Sequence, residues 1–171
     1  MRTNVAATAQ SRLSPAVLFD LLADPRGCVT WHDHPTKDRP QSTDAPPGPA
    51  LAGAEYWSRG LCGTITWRAR TLVTAAERSR HYATETEIIY DHPRVPKARS
   101  SERFTLEPNG VGSFVRWETE VSQDTALYGW IARIYVAVAN RLTVARSLRK
   151  NFHHVLRAAE AEAARSAPTR T

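Results

Sequence analysis

Long apolar runs are missing from this chain. No stretch of about eighteen consecutive apolar residues exists, so no membrane-spanning helix is predicted. The opening residues MRTNVAATAQ lack the apolar block of a secretory signal. Cysteine is scarce: Cys28 and Cys62 stand in unrelated contexts, with no CxxC pair and no histidine at metal-ligand spacing. That usage predicts a reducing, cytoplasmic setting with both thiols free. Nucleophile machinery is absent too, since Ser58 and Ser113 have no elbow context and no Ser-His-Asp arrangement suggests itself. Gly60-Leu-Cys-Gly63 is no phosphate loop; its glycines suit a tight turn or bulge. His32-Asp33-His34 looks like a chelating pair, and His153-His154 adds two imidazoles. Without a third ligand at defined spacing these predict solvated histidines, with no metal and no cofactor. No internal repeat is visible.

What is present fits one globular domain. The chain has 171 residues, 42% hydrophobic and 23% charged, enough for one substantial core and too apolar for disorder. The expected domain is 1–164, with a disordered tail at 165–171. The net charge of +6 is unevenly placed. Residues 1–124 hold 15 Lys/Arg against 15 Asp/Glu, whereas residues 125–171 hold 8 against 2. Basicity therefore belongs to one C-terminal segment rather than to a surface spread over the fold.

The pattern along the chain is α+β. Val5–Leu13 reads as an edge or outer strand. Ser14-Pro15 supplies a cap and a first-turn proline for a short helix to about Ala23, with Val17, Leu18, Leu21 and Leu22 at helical spacing. Asp24-Pro25 repeats the signal for a second short helix to about Trp31. Residues 32–52 carry five prolines and almost no large apolar residue, and read as one long exposed loop. From Gly53 the period becomes two. Strands are predicted at 54–59, 64–74, 81–89, 98–106 and 113–122, joined by short turns as an antiparallel meander with one face covered. The cover is a helix of about 35 residues whose apolar stripe runs from Leu127 through Ile134, Val138, Leu148 and Phe152 to Ala159. A kink or break is expected near 128–133 or at Asn140, because a straight helix of that length overhangs a domain of this size.

Several of these segments resemble the START-like (SRPBCC) superfamily, which includes polyketide cyclases/dehydrases and lipid-transfer proteins. The resemblance spans nearly the whole chain. Its markers are Ser14-Pro15 opening a helix that ends in Leu22-Ala-Asp24-Pro25, Trp31, Leu51-Ala-Gly53, Phe104-Thr-Leu-Glu-Pro108, Gly112-Ser-Phe-Val-Arg-Trp117 and Leu148-Arg-Lys-Asn-Phe152. All are scaffold turns and core positions. The resemblance implies a helix-grip fold, a curved antiparallel sheet wrapped around the long C-terminal helix, with a cavity between them. It fixes no activity, since one fold hosts enzymes, carriers and receptors. This chain departs from the family in its long proline-rich loop and in the apolar forward extension of the helix, Trp130–Val138.

Within that frame the residues expected to line a cavity are Trp31, Trp67, Tyr82, Thr84, Phe104, Trp117, Ile134, Tyr135 and Val138. The same aromatics would equally fill a solid core. Glu102 shares a strand face with Phe104 and Leu106, which points a carboxylate inward as a general acid/base or a partner for a ligand cation. A bulge, or a pair with Arg99 or Arg103, would instead turn it to solvent. On strand 54–59, either Tyr56 and Ser58 face inward or Trp57 and Arg59 do, the second making Arg59 an anion anchor; the cost of an unpaired buried guanidinium favours Tyr56. The basic helix face (Arg133, Arg141, Arg146, Arg149, Lys150, Arg157) reads as solvated, with weak docking to an anionic membrane surface as the alternative. Aromatics are not interleaved with these charges, so nucleic acid is not an expected partner.

These readings favour a binding protein for an apolar or aromatic small molecule, lipid- or polyketide-like. The alternatives are a cyclase/dehydrase with Glu102 or Tyr82 moving a proton, and a protein-interaction module. The state is monomer or homodimer.

Overall fold

A computed structural model describes residues 2–30, 38–123 and 130–166, the side chains at 28, 30, 38, 39 and 130–143 excepted. The elements run β1 (Arg2–Ser11), α1 (Pro15–Leu22), α2 (Gly27–Thr30), β2 (Asp38–Thr43), β3 (Glu55–Cys62), β4 (Ile65–Glu77), β5 (His81–Tyr90), β6 (Ala98–Asn109), β7 (Gly112–Gln123) and α3 (Trp130–Ser166). Seven strands form one antiparallel sheet in the order β1-β7-β6-β5-β4-β3-β2, curved and unclosed, with β1 and β2 as its two edges. The long helix lies against its concave face. The α+β, helix-grip architecture expected from the sequence is the one observed.

Short hairpins set the register. Cys62 pairs with Ile65 around Gly63-Thr64, and Asn109 pairs with Gly112 around Gly110-Val111. Both loops put glycine at the first central position with positive φ, +63° at Gly63 and +61° at Gly110, where a side chain would be strained. The Gly60–Gly63 segment is therefore mostly strand, with its turn at the end. Gly112 answers a different need: a Cβ there would stand 2.2 Å from the Ser11 carbonyl oxygen, so only glycine lets β7 begin beside the end of β1.

The segment 32–52 is not one loop. Asp38–Thr43 pairs with β3 as an edge strand, shifting register between Pro40 and Ser42. An edge position tolerates Pro40 because one side of the strand needs no ladder hydrogen bond. The stretch after it is tied down rather than loose. The Asp44 carboxylate accepts from the Trp57 amide at 2.7 Å, the Arg26 side chain donates to the Ala45 carbonyl at 3.0 Å, and the Ala50 amide donates to the Ala23 carbonyl at 2.8 Å.

Ser14 sits at the N-cap of α1 in extended backbone, but its side chain makes no capping bond; Pro15 alone carries the start signal. No break falls at Asn140, for α3 continues through it with neither proline nor glycine between Ile131 and Ser166 to interrupt it; residues 128 and 129 of the other expected position lie outside the described residues. Its 37 residues span about 55 Å. The C-terminal part is pinned to β1, where Glu160 accepts from the Ser11 hydroxyl at 2.8 Å and the Arg12 amide at 2.9 Å.

The solid core occupies the sheet end that carries the β6–β7 hairpin. Leu18 and Phe19 of α1, Leu106, Val115 and Trp117 of the sheet, and Phe152, Leu156 and Ala159 of α3 are all buried there. Trp117 stacks on Phe152 with ring centroids 5.4 Å apart and planes 6° from parallel.

Candidate functional site

Moving along β6 and β7 toward the sheet end with the 91–97 turn, the packed core gives way to a hollow. A cavity of about 510 Å³ lies between the concave face and α3. Strict alternation aims the side chains of each strand into it: Tyr56 from β3, Trp67 from β4, then Tyr82, Thr84, Thr86, Ile88 and Tyr90 from β5. Ala98, Ser100, Glu102 and Phe104 follow from β6, with Val121 and Gln123 from β7. Leu22 and Pro25 border it after α1, Pro40 from β2 and Thr3 from β1. The opposite wall is α3, through Val144, Ser147, Leu148, Asn151 and Val155.

Two rows of the same helix therefore face different surroundings. Residues 144, 148, 151 and 155 meet the hollow, while Phe152, Leu156 and Ala159 meet the packed core. Leu156 is 4% exposed and extends the apolar stripe by one position.

The expected lining residues separate accordingly. Tyr56, Trp67, Tyr82, Thr84, Glu102 and Phe104 all border the cavity. Trp117 does not. It shares their strand face and pairs directly with Phe104, but its ring is stacked against Phe152. Trp31 and the side chains of Ile134, Tyr135 and Val138 lie outside the described residues, as does His32-Asp33-His34. The open choice on β3 resolves by register: Tyr56 turns inward, whereas Trp57 and Arg59 are exposed on the convex face, where Arg59 stands opposite Arg68. Arg59 is thus no anchor within the cavity.

Polar groups on and beside the wall of the hollow are unevenly satisfied. Thr71 and Thr86 share a hydroxyl–hydroxyl bond of 3.0 Å, and the Thr119 hydroxyl donates to the Ser101 carbonyl at 3.0 Å. Trp67 Nε1 and Asn151 Oδ1 are buried with no hydrogen-bond partner among the described residues. Such orphaned groups are costly unless something else meets them. Glu102 sits between Thr84 on β5 and Thr119 on β7. Its carboxylate borders open cavity space yet is enclosed by protein, and loss of hydration pushes its pKa up to about 6. Ser147 and Asn151 carried a readable signal that sequence reasoning passed over: both are polar residues set into an apolar helix stripe.

Among the described residues no group of three or more His, Cys, Asp or Glu is arranged to hold a metal ion. No helix among them is long and apolar enough to cross a membrane. Arg146, Arg149, Lys150 and Arg157 of the basic helix face are exposed.

A family model described as polyketide cyclase / dehydrase and lipid transport matches residues 2–163. The chain belongs to that family. Solved structures agree on the fold. A START superfamily protein from Mycobacterium smegmatis is 13% identical with a TM-score of 0.61, covering 96% of this chain and 99% of its own. An uncharacterized protein from Rhizobium leguminosarum is 10% identical with a TM-score of 0.68, the match covering 94% and 96%. DynU16, a protein of the dynemicin biosynthetic locus, is 12% identical with a TM-score of 0.56, over 93% of this chain and 48% of that longer one. At these identities the likeness is one of fold alone. Comparison with curated proteins finds no match. Family membership suggests ligand binding or a polyketide-related role.

Proposed function

We propose that this protein binds an apolar or aromatic small molecule, lipid- or polyketide-like, in the cavity between the sheet and α3. The observation that carries this reading is the hollow itself. Protein interiors pack to near-crystalline density, so about 510 Å³ left open beside a tightly packed core is a ligand-sized space rather than a packing flaw. Tyr56, Trp67, Tyr82 and Phe104 supply apolar walls, and Thr84 and Glu102 supply polar anchors. Native mass spectrometry of the purified protein is expected to show an apolar molecule retained in stoichiometric amount. A bare mass, together with no uptake of a neutral apolar fluorophore, would overturn the reading.

One observation favours a second reading, in which the family's cyclase or dehydrase chemistry takes place in the same space. Glu102 is a carboxylic acid poised near neutrality at the cavity wall, suited to move a proton while the walls fold a flexible chain. With a polyketide-like substrate, Glu102→Gln is expected to abolish turnover while binding survives. Undiminished turnover in that variant would remove Glu102 from the reaction.

A further inference from the structure

The cavity has a marked charge asymmetry. Glu102 is the one charged side chain among the described residues that border it; no lysine, arginine or histidine does. The other titratable groups facing it are the tyrosines Tyr56, Tyr82 and Tyr90 from β3 and β5. From α3 come Asn151 and Ser147, both neutral, and β1 contributes Thr3. Loss of hydration raises the Glu102 pKa, and no hydrogen bond or ion pair among the described residues offsets it. A buried charge is ordinarily paired, and this one has no partner among the described residues. Beside it stand Phe104, two residues along the same face, and Tyr82, the cross-strand neighbour of Phe104. Aromatic faces next to a carboxylate form the surroundings that hold an organic cation. Across the hollow, Asn151 Oδ1 adds a second acceptor without a donor.

We propose that the molecule held here carries a protonated amine on an apolar or aromatic skeleton, its nitrogen set against the Glu102 carboxylate. This rests on the cavity reading above and narrows it. A ligand ending in a carboxylate would bring a second negative charge into the same low-dielectric space and is selected against. An apolar alcohol fits the walls but leaves the charge uncompensated.

Three probes with one skeleton separate these cases: 1-naphthylmethylamine, 1-naphthalenemethanol and 1-naphthoate, each titrated at pH 7.5 by displacement of Nile red and by calorimetry. The amine is expected to bind at least about tenfold more tightly than the alcohol, which is about 1.4 kcal/mol. The carboxylate is expected to bind more weakly than either. Lowering the pH to 5 protonates Glu102 and is expected to weaken the amine alone. In Glu102→Gln, which removes a desolvated charge and keeps the side-chain shape, the amine loses its advantage and the alcohol is unchanged. Nile red uptake with amine and alcohol bound equally would overturn the charge selectivity and leave the cavity reading standing. So would an amine preference that survives Glu102→Gln. If neither Nile red nor any naphthyl probe binds, the cavity reading falls and this inference falls with it.

Discussion

Glu102 shows what the interior asks of one residue. Its carboxylate loses its hydration on folding, and the folded chain answers by holding the proton more tightly, with a pKa of about 6 against an ordinary 4.5. The sign follows from linkage. Below about pH 4.5 the group is neutral folded and unfolded and costs nothing. As the pH rises toward 6 the unfolded chain ionises first, stability falls, and above 6 the loss is constant at about 2 kcal/mol. Glu102→Gln is therefore expected to raise unfolding stability by up to about 2 kcal/mol at pH 7.5 and by little at pH 4. Urea unfolding at both pH values measures this, and no gain at pH 7.5 would mean the carboxylate is well solvated. Its inward aim was legible, because alternation puts it on the face of Phe104 and Leu106. Trp117 marks the limit of that reasoning. Alternation assigns a face, but not the point along a strand where packing ends and the hollow begins.

At the scale of elements, α3 divides its labour between two rows. Phe152 is 2% exposed and stacked on Trp117, so Phe152→Ala leaves a void in packed surroundings and is expected to cost about 3–5 kcal/mol. Val144 already borders open space. Val144→Ala is expected to cost about 1 kcal/mol, the transfer term without a new void. Chemical denaturation of the two variants separates them; equal losses would mean that the hollow is packed like the core. The helix and the meander were legible because their periods, near 3.6 and 2, run long enough to exceed the noise of individual residues. β2 was not. Asp38-Arg-Pro-Gln-Ser-Thr43 contains no apolar residue, and an edge strand held by backbone bonds to β3 leaves no period-two signal to read. The inward side of β3 was equally undecided in sequence, since tyrosine and tryptophan compete for it; pairing with β4 settles it for Tyr56.

Seen whole, the molecule separates charge from binding space. The basic residues of α3 that are described face outward, while the same helix presents valine, leucine, serine and asparagine to the cavity. That the chain grips a helix in a curved sheet was readable from element order. That the grip leaves space was not, because a hollow depends on summed side-chain volumes that no periodicity encodes. Occupancy of that space is the central claim, and filling it tests the claim most directly. Ser100 borders the cavity midway along β6, between Thr86 and Val121 on the neighbouring strands. Ser100→Trp places an indole where a ligand would lie. Titration with Nile red is expected to give one site in the unaltered protein and at least about tenfold weaker binding in Ser100→Trp, with cooperative unfolding retained. Equal affinity in the two proteins, or no binding by the unaltered one, would contradict the account.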